Sequence, residues 1–301
     1  MSKRLTVVLS QAQGKNPAKR ALEESLAAAL IMEPDLDISV IPYLYDLHPD
    51  HTGRMYLESI PGDIVLVGWM YPRATFWLLD RIGIKGHYGE NQIESEHEEE
   101  EEEEDPQGIG AVDIPNRHIY CLDLRDCSSH DPYVDEVKRI AAECKARREE
   151  EARQNPTMVQ LGVNLTTENQ EQGFTPEDLL QQPGRRWYPV IDYSRCTNCM
   201  ECLDFCLFGV YGVDVLERIT VENQDSCKKG CPACSRVCPE QAIMFPEHKT
   251  PAISGAPVGN VGGLKIDLTR LFGGSDAIQI AAQERDRELV ADGRDAVGLS
   301  V

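Results

Sequence analysis

The order of local patterns along the chain predicts two fold classes in succession. The first is an α/β domain built on a doubly wound parallel sheet, and the second is a small α+β unit. Three observations carry this. Strand-like apolar runs alternate with helix-spaced runs over residues 1–153. Eight of the eleven cysteines crowd between Cys196 and Cys238. The residues flanking those cysteines repeat.

Leu5–Leu9 is a short apolar run that reads as a first strand, followed by the loop Ser10–Pro17. Ala18–Met32 places Ala21, Leu22, Leu26, Ala29 and Leu30 on one side, the spacing of a helix. Leu36–Tyr45 reads as a second strand, Asp50–Ile60 as a short helix, and Asp63–Trp69 as a third, buried strand. Arg73–Ile82 is a third helical run. Gly83–Pro115 has a Gly-rich start and contains Glu98–Glu104, so a disordered acidic loop is expected over residues 90–106. Arg117–Leu122 is a fourth strand. Asp131-Pro132 then supplies a cap and a first-turn proline for a helix to about Arg153. Strands joined by helices imply a Rossmann-like or flavodoxin-like parallel sheet.

Residues 154–186 are polar and rich in turn formers, as in Asn155-Pro156 and Thr175-Pro176, and read as a linker. The cysteine-rich unit is placed at residues 187–249. Residues 250–301 are read as an extended connector, Thr250–Gly263, and a C-terminal helix. That helix would be capped by Ser275, run to about Ala291 and present Ile278, Ala281, Ala282 and Leu289 to a neighbour.

Charge excludes some functions. The formal net charge is −21, and eleven acidic residues with no Lys or Arg lie between Glu90 and Asp105. With those set aside the remainder still carries −10. Such a surface disfavours nucleic acid and suits docking onto a basic protein face. No run approaches the ~20 apolar residues of a membrane span. The apolar run at Leu5 is shorter than a secretory core, and a cytoplasmic protein is expected. In a reducing compartment, eleven cysteines call for a role other than disulfides.

The first cysteine group reads Cys196-x2-Cys199-x2-Cys202-x3-Cys206, the second Cys227-x3-Cys231-x2-Cys234-x3-Cys238-Pro239. Two-residue gaps let a tight loop bring three thiolates to three corners of one iron–sulfur cubane, with a fourth supplied from elsewhere. Val190-Ile-Asp192 precedes the first group and Ile219–Glu222 the second. An apolar patch follows each, Leu207–Tyr211 and Ala242–Phe245. A duplicated strand–loop–helix unit accounts for both repeats, with the apolar residues forming a dry shell and backbone N–H groups aimed at sulfur. Structural zinc is the competing reading, because Cys-x2-Cys pairs also suit tetrahedral Zn. A purely structural cluster is another.

These residues resemble the bacterial-type dicluster ferredoxins over about 57 residues, roughly Val190 to Pro246. The resemblance implies a ferredoxin-like dicluster domain with two [4Fe–4S] clusters. Cys196, Cys199, Cys202 and Cys238 would hold one, and Cys227, Cys231, Cys234 and Cys206 the other. It also implies one-electron transfer at low potential. There are two departures. Leu207 stands where the family usually has proline, and Cys227-x3-Cys231 is one residue longer than the usual gap. Gly230 can absorb the added bend, and a three-iron second cluster stays open.

Other candidates are weaker. Cys121, Cys127 and Cys144 have no partner at ligand spacing and read as unliganded. His48 and His51 read as surface histidines. Gly14 and Lys15, after the first strand, sit where α/β sheets bind anions, but the loop matches no phosphate-binding pattern. The expected role is an iron–sulfur electron carrier or subunit that relays single electrons to a partner oxidoreductase. Two alternatives are open: a flavin- or nucleotide-binding oxidoreductase fed by the clusters, and an iron–sulfur scaffold or redox sensor. No residue outside the cysteines forms a catalytic set.

Overall fold

A computed structural model describes residues 4–93, 108–154, 183–256 and 272–299. Five parallel strands form one sheet in the order β2-β1-β3-β5-β4. They are β1 (Leu5–Ser10), β2 (Leu36–Ile41), β3 (Ile64–Gly68), β4 (His87–Gly89) and β5 (His118–Asp123). Register is set centrally by Val8 opposite Leu66 and by Leu66 opposite Cys121. All five residues of β3 are buried, as a strand covered on both faces requires.

Helices cover the two faces. On one lie α1 (Pro17–Leu30) and α4 (Asp131–Gln154), packing Leu26, Leu30, Val137, Ile140 and Cys144 onto Val7, Val65 and Leu122. Asn16 caps α1 by accepting from the backbone N–H groups of Ala18 at 3.0 Å and Lys19 at 3.4 Å, with Pro17 at the first helical position. On the other face lie α2 (Thr52–Ser59) and α3 (Pro72–Arg81), whose Leu57, Ala74 and Leu78 pack with Val8, Leu66 and Ile119. The α/β expectation for the first part of the chain therefore agrees with the structure.

Several local expectations are corrected. The second strand ends at Ile41, not Tyr45, because Pro42 brings no N–H to the ladder; Leu44–Asp46 turns as a 3₁₀ helix. The region Gly83–Pro115 supplies a short strand, β4, which pairs with β5 through His87 opposite His118. The acidic residues Glu98–Glu104 lie outside the described residues, as do 155–182 of the expected linker. The C-terminal helix is capped by Gly274, with Ser275 already helical. Within the expected connector, residues 251–254 form a helical turn with Ile253 fully buried.

The cysteine-rich part is built twice over. β6 (Val190–Ile191), a cysteine loop, α5 (Glu201–Phe205) and β7 (Tyr211–Val213) form one half. β8 (Ile219–Val221), a cysteine loop, α6 (Ala233–Val237) and β9 (Ile243–Met244) form the other. The outer strands β6 and β9 pair antiparallel, and so do the inner strands β7 and β8. This unit sits against α3. Tyr188, Val190 and Met244 join the core of the sheet's second face, and the Arg73 guanidinium reaches Asp192 and the Gln241 carbonyl, the latter at 2.7 Å. Before β6, Tyr188 stacks on Tyr45 with centroids 4.3 Å apart, and the two exchange main-chain and hydroxyl hydrogen bonds. Such a pair adds about 1 kcal/mol beyond its burial. The last helices are α7 (Pro251–Ser254) and α8 (Ser275–Ala291), the latter packed on α6.

Candidate metal centre

Each cysteine loop owes its shape to backbone conformations that few residues adopt. Asn198 and Met200, between successive cysteines of the first group, have φ of 62° and 66°. Such values turn the chain tightly enough to face several side chains inward, at a cost for non-glycine residues. The Asn198 side chain braces its turn by accepting from Ile219 N at 2.9 Å and donating to Glu217 O at 2.8 Å. In the longer gap of the second group, Gly230 has φ of 86° with open space where a Cβ would stand. The inserted residue is accommodated there.

Two small hollows result. The first is ringed by Cys196, Cys199, Cys202 and Cys238, the second by Cys206, Cys227, Cys231 and Cys234. Each therefore takes three sulfurs from one half and a fourth from the other. The electrostatic neighbours divide in the same way. Cys202 is influenced by Cys238, Cys196 and Cys199, and Cys234 by Cys206, Cys227 and Cys231. Ile191, Ile219, Ala242 and Ile243 wall the first hollow; Phe205, Phe208, Val210 and Tyr211 wall the second. Among the described residues, no three His, Cys, Asp or Glu side chains converge on the position of a single ion. The sulfurs surround a space instead.

The donor set suits a cationic cluster. Burial pushes the Cys238 and Cys231 thiols up to about 11, and raises Cys202, Cys206, Cys227 and Cys234 as well. Four thiolates packed in an apolar wall repel one another, so their deprotonated form requires compensating positive charge from metal. Backbone N–H groups are aimed at sulfur: Ala242 N lies 3.3 Å from Cys238 Sγ, and Phe208 and Val210 support Cys206. The Tyr211 hydroxyl is buried between the two sets, influenced by Cys234, Cys202 and Cys206, and its hydrogen bond to Cys234 favours that thiolate. The residues present fit an iron–sulfur cluster in each hollow.

Against known proteins, the chain aligns at 33% identity over 123 positions with an uncharacterized ferredoxin from Methanocaldococcus jannaschii, covering 38% of this chain and 83% of that protein. The chain belongs to the ferredoxin family. No protein-family model matches it, and no solved structure does.

Three features of this ferredoxin were missed from sequence. Gly108, Ile109 and Gly110 donate backbone hydrogen bonds to Ser194 O, Cys196 O and Tyr193 O at 2.6, 2.8 and 2.8 Å, clamping the first cysteine loop. A Cβ at Gly108 would collide with the Ser194 backbone. The only signal was a Gly-x-Gly after an acidic run. Trp187 Nε1 donates to Cys231 O at 3.1 Å and stacks on Phe245. Arg285, on α8, is 1% exposed and borders the second hollow. Its signal was positional, because it lies on the same stripe as Ala281, Ala282 and Leu289.

The remaining candidates are placed elsewhere. Cys121 and Cys144 are buried in the sheet domain, with Cys144 Sγ 3.8 Å from the Tyr120 hydroxyl. Among the described residues, the eleven cysteines form no disulfide bond. His51 caps α2 by accepting from Gly53 N at 3.0 Å, and His48 lies 3.3 Å from Asp50. The loop after β1 borders a hollow with Gln13, Gly14, Lys15, Arg20, Tyr43 and Asp46. Asp46 and Arg20 are engaged within the protein: Asp46 accepts from Gln13 and from Arg186 N, and Arg20 donates to Glu23 and to two carbonyls. Among the described residues, no helix is long and apolar enough to cross a membrane.

Proposed function

We propose that this chain is a cytoplasmic electron-transfer protein or subunit holding two [4Fe–4S] clusters in a ferredoxin-like dicluster domain fused to an α/β sheet domain. The observation that carries this reading is the division of eight cysteines into two hollows of four, each drawing on both halves. Cys196, Cys199, Cys202 and Cys238 would hold one cluster, and Cys206, Cys227, Cys231 and Cys234 the other. Iron–sulfur clusters supply reversible one-electron chemistry. The protein's own residues hold the sulfurs, exclude water with Ile191, Val210, Ile219 and Ile243, and direct N–H groups at the ligands. Sulfurs spaced around a cavity favour a polynuclear group over a single zinc ion. Cys199 is the one exposed thiol of the eight, and a partner oxidoreductase would approach there with a basic face.

The test is composition. Anaerobically purified protein should contain about eight irons and eight acid-labile sulfides per chain, as two cubanes require. One or two zincs without sulfide would end the proposal, and about seven irons would indicate a three-iron second cluster.

A second reading rests on the hollow at the carboxyl ends of β1 and β2, the position where parallel sheets bind cofactors. In it the sheet binds a flavin or nucleotide that the clusters reduce. A flavin band or nucleotide released on denaturation of the same preparation would support it; iron–sulfur absorbance alone supports the carrier.

A further inference from the structure

The two hollows are alike in sulfur and opposite in surrounding charge. Glu201 and Glu240 border the first, and no cationic side chain does. Lys228 and Arg285 border the second, and no acidic one does. The locations sharpen the contrast. Glu201 and Glu240 are exposed, where solvent and salt screen them, while Arg285 is 1% exposed and acts through a poorly screening interior.

Arg285 is held in place from several sides. Its guanidinium lies 4.5 Å over the Phe205 ring, Nη2 donates to Gly298 O at 2.5 Å, and Nε donates to Asp286 Oδ1 at 3.0 Å. Asp286 pairs with the guanidinium at 3.0 Å and also accepts from Gly298 N, but it does not border the hollow as Arg285 does. The guanidinium acts on Cys206, favouring its thiolate. The whole of α8 is fastened around this hollow. Glu284 pairs with Arg236 at 2.9 Å, Lys228 with Asp292 at 2.5 Å, and Arg294 Nη1 donates to Leu207 O at 3.0 Å.

Opposing charges are present and are matched locally. Glu284 and Glu288 act on Cys231 against its thiolate, but Glu284 is neutralised by Arg236 and Glu288 by Arg287. Near the first hollow, Arg218 favours the Cys196 thiolate, but it also serves Asp80 and Asp214 and lies over the Tyr193 ring. Asp192 acts on Cys196 in the opposite sense.

We propose that the two centres are unequal by construction. The buried Arg285 charge makes a cluster held by Cys206, Cys227, Cys231 and Cys234 easier to reduce than one held by Cys196, Cys199, Cys202 and Cys238. This rests on the reading that both hollows hold clusters. Reduction adds one negative charge, which a fixed cation stabilises and a carboxylate opposes, and net local charge is among the levers that set such potentials.

The experiment is a redox titration of the anaerobic full chain followed by electron paramagnetic resonance. Iron and sulfide are counted first, so that a failure of the two-cluster reading is seen separately. The unmodified protein should show two distinct midpoints. Arg285→Gln should lower the higher one by at least about tenfold in the one-electron equilibrium, which is about 59 mV, and leave the lower one in place. Arg285→Lys should retain most of the difference. Lys228→Gln should lower the same midpoint by less, and Glu240→Gln should raise the lower one. A single shared midpoint overturns the proposal. So does an Arg285→Gln protein of full iron content whose higher midpoint is unmoved. If Arg285→Gln loses iron, Lys228→Gln and Glu240→Gln decide: failure of both to shift in the stated directions overturns it.

Discussion

Cys202 and Cys238 belong to opposite halves of the cysteine-rich unit and face one hollow. The consequence is a specific pattern of non-additivity. Cys202→Ser and Cys238→Ser should each remove about half of the bound iron, and the double variant should lose no more than either single one. Cys202→Ser combined with Cys234→Ser should abolish binding, because those thiols ring different hollows. Iron per chain, measured on the four anaerobic preparations, checks this. Residues also show what sequence reveals. The two- and three-residue gaps announced three members of each set, because a tight loop is a local device. The fourth member came only through resemblance, since a contact across two halves leaves no local trace. Arg285 was hidden because arginine in a helix reads as solvated, and only its place on an apolar stripe contradicts that.

Among elements, the second cysteine loop is the test of the departure from family spacing. Gly230 is left-handed at φ 86° with room for a Cβ, so Gly230→Ala introduces strain without collision. The expected cost is about 1 kcal/mol, which for a chain of 301 residues lowers the melting temperature by about 2 °C. A loss far beyond that would mean that the loop tolerates no strain. The contact between α3 and β6 is more consequential. Arg73→Ala leaves Asp192, whose side chain is 2% exposed, without its main counter-charge. Breaking a buried pair from one side costs about 3–5 kcal/mol, to be read as a lower denaturant midpoint. The sheet elements themselves were legible from period and composition. The boundary at Pro42 and the strand β4 were not, because a three-residue edge strand ending in glycine carries no period to detect.

For the molecule as a whole, acid should be the destabilising direction near neutrality. Burial depresses His118, aided by Arg147, and likewise His248, aided by Arg236. The unfolded chain then takes up protons near pH 6.5 while the folded one does not. This stabilisation is complete above about pH 6.5 and is lost as pH falls toward the lower folded values. Asp46, Asp80 and Asp123, raised by burial, act oppositely and begin lower, above their ordinary 3.8. Thermal melts at pH 7.5 and 5.5 should therefore differ, with the lower melting temperature at pH 5.5. His118→Gln should shrink the difference; an unchanged gap would remove this histidine from the account.

The Gly108–Gly110 clamp has an implication for autonomy. It lends the first cysteine loop three main-chain bonds from far upstream, while the second loop is covered by a helix from far downstream. Excised at its apparent edges, the cysteine segment would surrender both coverings at once, exposing Ala233, Val237 and the Tyr193–Cys196 backbone to water. A fragment of residues 183–256 should accordingly retain iron poorly and bleach faster in air than the intact chain. The cysteine-rich unit takes its cover from both sides of the chain.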